Sequence, residues 1–266
     1  MRLKRKQQLD NHTWQEATDT IENVVPPEDL DNLIDQTVDE IKATAKSQKV
    51  GVAWSGGKDS IALGYVMQQA GQFPSVLVHT NLEYPDFLPW VQKNKPDGLQ
   101  LINTGQDYEW LRNHPDMLFP QGKKGAQWFP IVQHKGQAKF FKDNQLDVIA
   151  LGRRTQDGNY TGPKGQNIYT NSKGITRWSP IAHWKHEHII ALLKYKNLDL
   201  PPIYSAPRGF IVGTGAWPAR QGTSTDPNSD QYGWAEMWNY HPETVKEAAD
   251  EHIPGAAEYI ERIHNG

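Results

Sequence analysis

The chain has 266 residues, with 28 Lys and Arg against 31 Asp and Glu, a formal net charge of −3 and no cysteine. That length can bury a full hydrophobic core without disulfide or metal staples, and the slightly acidic balance excludes a protein that coats nucleic acid through global charge. The missing thiols exclude a cysteine nucleophile, a protein persulfide, a cysteine-ligated iron–sulfur cluster and a Cys-type structural zinc, so any sulfur chemistry must use sulfur brought by another molecule.

In chain order, the basic start MRLKRKQQLDNHTW lacks an apolar stretch of the signal-peptide kind, and its Arg2, Lys4, Arg5 and Lys6 read as a solvated tail. No run reaches the roughly 18 apolar residues of a membrane span, so the expectation is a soluble, cytoplasmic protein that does not engage a membrane. Residues 10 to 24 suggest a short helix. After Pro26-Pro27, the apolar positions Leu30, Leu33, Ile34, Val38, Ile41 and Ala45 form a helical stripe, acidic early and basic late as the helix dipole favours. Val50 to Trp54 reads as a buried strand, and a helical pattern follows from Lys58 to Gln69, with Gly71 as its stop.

The alternation continues with strands at 75–79, 99–103 and 147–151 and helices at 85–93, 107–112 and 132–144. Strands and helices at this spacing predict a doubly wound α/β fold on a parallel sheet, where ligands bind beyond the carboxyl ends of the strands. Ser55, His79, Thr80, Thr104, Gly152 and Arg153 fall on that rim. Residues 152 to 174 turn rich in Gly, Asn, Thr and Tyr and read as a loop or hairpin; 175–180 is a fifth strand and 185–196 a helix. Beyond Pro201-Pro202 lies an irregular segment, with short helices near 234–240, 242–251 and 255–264.

Chemistry concentrates in Ser55-Gly56-Gly57-Lys58-Asp59-Ser60, between a buried strand and a helix start. Two glycines allow a sharp turn and close approach of the backbone to a ligand, and the free N–H groups of the loop and first helical turn make an anion nest. Ser55 and Ser60 add hydroxyls and Lys58 a cation, which describes a phosphate or pyrophosphate site. Asp59 would compete with a phosphate for the positive helix end unless a divalent cation sat between them, so it points to Mg²⁺ with Asp59 as the ligand. The spacing is too short for a Walker A loop.

SGGKDS after a strand resembles the PP-loop of the adenine-nucleotide α-hydrolase-like superfamily, which includes phosphoadenosine phosphosulfate (PAPS) reductases, the ATP sulfurylase small subunit, FAD synthetases and ATP-dependent enzymes of DNA phosphorothioation. Three further segments resemble that family in order: His79 to Pro85 its second-strand segment, Leu151 to Gln156 its G-x-R-x-x-[QE] segment, and Ser179 to Trp184 with Leu200 to Tyr204 its N-P-L-x-x-W and L-P-x-x-x-L-Y stretch. Together they span roughly residues 50 to 220. The resemblance implies a five-stranded parallel sheet holding an adenine nucleotide, with Ser55, Gly56, Gly57, Lys58, Ser60, His79, Thr80 and Gly152 at the nucleotide and Lys58, Asp59, Arg153 and Arg154 in catalysis. It departs where the reductases carry cysteines: Gly209 to Arg220 resembles their G-Y-x-S-I-G-C-x-P-C-T-R with other residues in the thiol positions. A PAPS-reductase label would therefore describe the fold and not the reaction.

The remaining signals divide the chain into an arm and short helix over 1–27, a nucleotide-binding α/β domain over 28–204, and a C-terminal segment over 205–266 that packs on or closes over the site, with Arg208 and Arg220 as candidates to reach the nucleotide. His183 and His186 lack a convergent third metal ligand and read as structural. Lys123, Lys124, Trp128, Lys135 and Lys139, with the 160–173 loop, form a basic, aromatic stretch that leaves nucleic acid open as a partner, although a solvated surface is the plainer reading. Two functions stand: an enzyme that binds ATP·Mg²⁺, transfers AMP to an unknown acceptor and releases pyrophosphate, or a nucleotide-binding sensor or complex subunit without catalysis. A homodimer or larger complex is compatible with both.

Overall fold

The structure, a computed structural model, describes Leu3 and residues 9–265; Arg2, Lys4, Arg5 and Lys6 lie outside the described residues. In chain order the elements that matter here are α1 (Asn11–Asp19), α2 (Pro27–Ala45), β1 (Val50–Ala53), α3 (Lys58–Ala70), β2 (Ser75–His79), α4 (Phe87–Asn94), β3 (Leu99–Asn103), α5 (Tyr108–Asn113) and α6 (Gly122–Gly125). They continue with α7 (Lys135–Asp143), β4 (Val148–Leu151), β5 (Ile168–Thr170), β6 (Thr176–Trp178), α8 (His186–Tyr195), α9 (Gly209–Val212), α10 (Gly233–Tyr240), α11 (Pro242–Asp250) and α12 (Ala256–Asn265).

The strands form one sheet in the order β3-β2-β1-β4-β6-β5. β1 pairs in parallel with β2 and β4, and β4 in parallel with β6. The sheet therefore has six strands, one more than the five expected. The sixth, β5, runs antiparallel to β6 and comes out of the 152–174 stretch. Its turn is local chemistry: Asn171 Oδ1 accepts from Lys173 N and Ile175 N, while Gly174 takes φ +73°, which glycine adopts without strain. An Asx turn of this kind closes a hairpin that hydrophobic alternation alone does not announce.

Contacts divide the chain into two compact units, one of residues 1–77, 90–101 and 137–214, the other of 78–89, 102–136 and 215–266. In the first, α2 starts with Pro27 at its first turn and Glu28 and Asp29 beside it, and ends with Lys42 in its last turn. Its predicted stripe is buried at Leu30, Ile34, Val38 and Ile41. These side chains join Val50 and Val52 of β1, Val148 and Ala150 of β4, Trp178, Trp184 and the apolar face of α8 in a single core. Because side chains alternate along a strand, Ile149 and its register partner Arg177 face the other side of the sheet.

The second unit is built around aromatic rings. Phe119 meets Trp234 edge-on at 5.1 Å, Trp217 lies 5.5 Å from Trp234, and Phe119 N donates to Pro218 O at 2.8 Å. A Cβ on Gly233 would lie 2.4 Å from the Phe119 ring, so the packing itself requires glycine there. Trp128 is also interior, its indole donating to Met117 O at 3.1 Å, and Lys124 pairs with Asp116. Of the basic, aromatic stretch, Trp128 is thus a core residue and Lys124 makes a surface ion pair.

Trp184 holds the α2 to α8 contact through its indole N–H, which donates to Thr37 Oγ1 at 3.1 Å, while that hydroxyl donates to Leu33 O at 2.8 Å. Trp184→Phe leaves the buried hydroxyl without a donor and opens a small void. A loss of about 2 kcal/mol in unfolding free energy is expected, read from urea unfolding at unchanged m-value.

Candidate functional site

The Ser55–Ser60 loop forms because β1 runs directly into the first turn of α3, and Gly56 takes φ +68° to make the bend. The bend is held by its own hydroxyls. Ser55 N donates to Ser60 Oγ at 3.1 Å, the two serine hydroxyls lie 3.1 Å apart, and Ser60 Oγ donates to Gly57 O at 2.9 Å. Gly152, just past β4, abuts this turn: a Cβ there would lie 2.8 Å from Asp59 O and 2.9 Å from Ser60 N. Two residues that sequence reasoning placed only inside motifs also reach the loop. Lys58 N donates to Tyr204 Oη at 2.9 Å, and Thr214 Oγ1 donates to Ser55 O at 3.1 Å.

Behind the loop lies a buried charge cluster. Lys58 is 2% exposed and Arg154 0%. Lys58 Nζ donates to Asp59 Oδ2 at 2.6 Å and lies 3.7 Å from Asp157 Oδ1; Arg154 Nε donates to Asp59 Oδ1 at 2.7 Å, and its Nη2 also lies 3.7 Å from Asp157 Oδ1. The remaining Arg154 donors reach Trp184 O at 3.2 Å and His186 Nδ1 at 3.2 Å. Burial pushes the Asp59 carboxyl up, but the charges of Lys58 and Arg154 outweigh it and hold the group well below the usual carboxylate range. Burial, then the same two cations, push His186 down to about 4, so it is neutral here and accepts from Arg154 through Nδ1. Asp157 carried no isolated sequence signal, and His186, expected to be structural, proves to be a buried partner of Arg154.

Of the expected site residues, Ser55, Gly56, Gly57, Lys58, Asp59, Ser60, Gly152 and Arg154 come together in the first unit. Arg154, expected to offer its guanidinium to phosphate oxygens, is an interior residue bonded to Asp59, Trp184 and His186. Arg153 is different: half-buried, it donates to Tyr169 Oη at 3.0 Å. His79 and Thr80 belong to the second unit, where Thr104 N donates to His79 O at 2.9 Å. Thr80 N and Oγ1 both donate to Glu83 Oε1, at 2.8 and 3.0 Å. Arg220 is likewise occupied inside the second unit, by Glu236 and by Tyr84 Oη at 3.3 Å.

The donor set does not fit a Mg²⁺ ion on Asp59 in this arrangement. Both carboxylate oxygens accept from cations, and among the described residues no group of three His, Cys, Asp or Glu is placed to hold a metal. Magnesium takes oxygen ligands in near-octahedral geometry and is repelled by ammonium and guanidinium groups at this range.

Two expectations follow from these charges. Arg154→Met leaves Asp59 and Asp157 to share Lys58 as the cation of the cluster and lowers unfolding free energy by about 3–5 kcal/mol, whereas the double variant with Asp59→Asn recovers part of the loss; a double-mutant cycle by denaturant unfolding reads the coupling. Burial raises Glu83 from 4.5 to about 7, against the lowering effect of the Thr80 hydrogen bonds. The folded state thus keeps a proton that the unfolded chain releases, a stabilisation complete below pH 4.5 and lost as pH climbs to about 7. Glu83→Gln is expected to remove that slope, so that the variant gains on the wild type between pH 4.5 and 7 in parallel unfolding curves.

Comparison with known proteins agrees with this architecture. The profile of the phosphoadenosine phosphosulfate reductase domain matches residues 49–213. A phosphoadenosine 5'-phosphosulfate reductase of Buchnera aphidicola is 24% identical over 159 residues, covering 56% of this chain; the chain spans 62% of that relative's length. A PAPS reductase from Candida auris, solved as a phosphate complex, shares the fold at a TM-score of 0.51 and 14% identity, over 67% of this chain and 91% of that one. A U34-tRNA thiolase from Methanococcus maripaludis aligns over 94% of this chain and 78% of its own at a TM-score of 0.41 and 13% identity. With the family profile matching more than half of its length, the chain belongs to the phosphoadenosine phosphosulfate reductase domain family, as a member without cysteine.

Proposed function

We propose that this chain is an enzyme that binds an adenine nucleotide at the Ser55–Ser60 loop and cleaves ATP between its α- and β-phosphates. An acceptor oxygen attacks the α-phosphorus, the bond from that phosphorus to the bridging oxygen breaks, pyrophosphate leaves with the bond pair, and AMP remains on the acceptor, whose proton passes to solvent. The observation that carries the reading is the intact loop backed by a preorganised Lys58–Asp59–Arg154 cluster, in a chain with no thiol.

In this reading the Gly56 and Gly57 backbone and the Ser55 and Ser60 hydroxyls hold phosphate oxygens. Lys58, fixed between Asp59 and Asp157, braces the start of α3, whose positive dipole end faces the charge that develops as pyrophosphate departs. Arg154 is a positioning residue: it fixes Asp59, which fixes Lys58. Reduction of a sulfonucleotide requires a thiol to attack sulfur, and the 266 residues include none, so the reading assigns no reductase step.

The test is pyrophosphate release from ATP with a panel of oxygen acceptors, beside a thioredoxin-coupled assay for sulfite release from PAPS. Pyrophosphate from the wild type, its loss in Gly57→Val, a fall of about 100-fold in Asp59→Asn, and no sulfite are expected. Thiol-coupled sulfite from the pure chain overturns the reaction assignment. Nucleotide binding without pyrophosphate across the panel moves the protein to the binding-only class.

A further inference from the structure

The β5–β6 hairpin brings a second basic group into the first unit, distinct in its electrostatics from the Lys58 cluster. Arg177 of β6 is 7% exposed, yet its guanidinium has no carboxylate partner among the described residues and its Nε makes no hydrogen bond. Tyr169 is its register partner across the hairpin, so both side chains lie on the same face of the sheet. The Tyr169 hydroxyl accepts from Arg153 Nη1 at 3.0 Å, and Arg153 also lacks a carboxylate partner among the described residues. Tyr169 therefore joins the two guanidiniums, bonded to Arg153 and in register with Arg177, and burial depresses the Arg153 pKa.

Two like charges gathered at one tyrosine, one of them interior, oppose folding unless an anion compensates them. The Lys58 cluster has that compensation from Asp59 and Asp157; this group has only a phenol and, for Arg153, a contact to Tyr160 O at 3.4 Å. Tyr160 is 57% exposed and packs edge-on against Tyr169 at 5.0 Å, so solvent reaches the edge of the group. Arg153 follows Gly152, whose Cα abuts Asp59 and Ser60, so the group begins one residue beyond the glycine that packs on the loop.

We propose that Arg153, Arg177 and the Tyr169 hydroxyl form a second oxyanion subsite, apart from the Ser55–Ser60 loop, for the phosphate or sulfate group of the acceptor. That the occupant is the acceptor rests on the adenylyl-transfer reading; the subsite itself rests on the uncompensated guanidiniums. Each guanidinium supplies planar paired donors that match a tetrahedral oxyanion, and the tyrosine adds a neutral donor between them.

Thermal unfolding in sulfate, in phosphate and in chloride at equal ionic strength tests this, beside ATP titration of the same samples. Sulfate and phosphate are expected to raise the wild-type midpoint by about 3–5 °C over chloride. Arg177→Met is expected to lose that response while its midpoint in chloride stays at or above the wild-type value, because an uncompensated charge has gone. Arg153→Met, at a half-buried position that tolerates truncation, loses the response as well. Gly57→Val, which crowds the loop, keeps the oxyanion response while losing ATP. If Arg177→Met and Arg153→Met respond to sulfate as the wild type does, the subsite is overturned. If the wild type binds no ATP but Arg177→Met still abolishes the sulfate response, the nucleotide reading fails and the subsite stands.

Discussion

An ammonium group taken out of water sets most of the local architecture. Lys58 starts α3 with its side chain turned inward, and isolation there would carry a desolvation penalty of several kcal/mol even after relaxation. Asp59 and Asp157 offset it, but two carboxylates around one ammonium leave a negative excess, and Arg154 balances that. The four charges sum to zero, with His186 neutral at one end of the guanidinium. Residues from α3, from the segment after β4 and from α8 are thereby tied together. These contacts tie the start of α3, which ends the loop, to the segment after β4.

That neutrality separates the two basic groups of the first unit. The Lys58 cluster has its counter-charges built in and needs none from a ligand, whereas Arg153 and Arg177 have no carboxylate among the described residues. Their neighbours in sequence behave differently for the same reason: Arg154 points into the core toward Asp59, and Arg153 stays at the edge with Tyr169. In the proposed reaction the first group therefore orients and the second attracts. Removing a member of either group should change stability in opposite directions, since one removal creates an unpaired charge and the other deletes one.

Much of the fold was legible in the sequence because its signals are periodic and local. The α2 stripe, the β2 and β3 runs, and the Gly-Gly turn before Lys58 each depend on spacing along a few residues, and each appears where the spacing predicts. The β5 strand was not, because three residues between Gly-rich turns carry no alternation and the hairpin is closed by the Asn171 side chain. In the site, glycines and serines announced the loop, but the partners did not announce themselves. Asp157 and His186 lie 98 and 127 residues beyond Asp59, and nothing in the spacing pairs them with it, since a buried pair is decided by which strand ends adjoin. The same limit explains Arg153 and Arg154: adjacent identical residues have one sequence signature, and only the backbone path after β4 sends one inward.

The hydrogen bonds of the loop constrain what a phosphate could gain there. Lys58 N already donates to Tyr204 Oη, Ser55 N to Ser60 Oγ, and the Ser55 and Ser60 hydroxyls are paired. A ligand oxygen that takes one of these donors replaces an existing neutral bond rather than filling an empty one, and such an exchange is nearly even when both partners are neutral. The gain comes from charge, because a hydrogen bond to an ionised phosphate is roughly twice as strong as the bond it displaces. Net affinity at the loop then scales with the negative charge that the ligand brings and with the dipole of α3, and weakly with its shape. A base and ribose would be recognised by other residues, and the buried Tyr204 hydroxyl, which loses Lys58 N as its donor in such an exchange, can turn its own O–H to the bound phosphate.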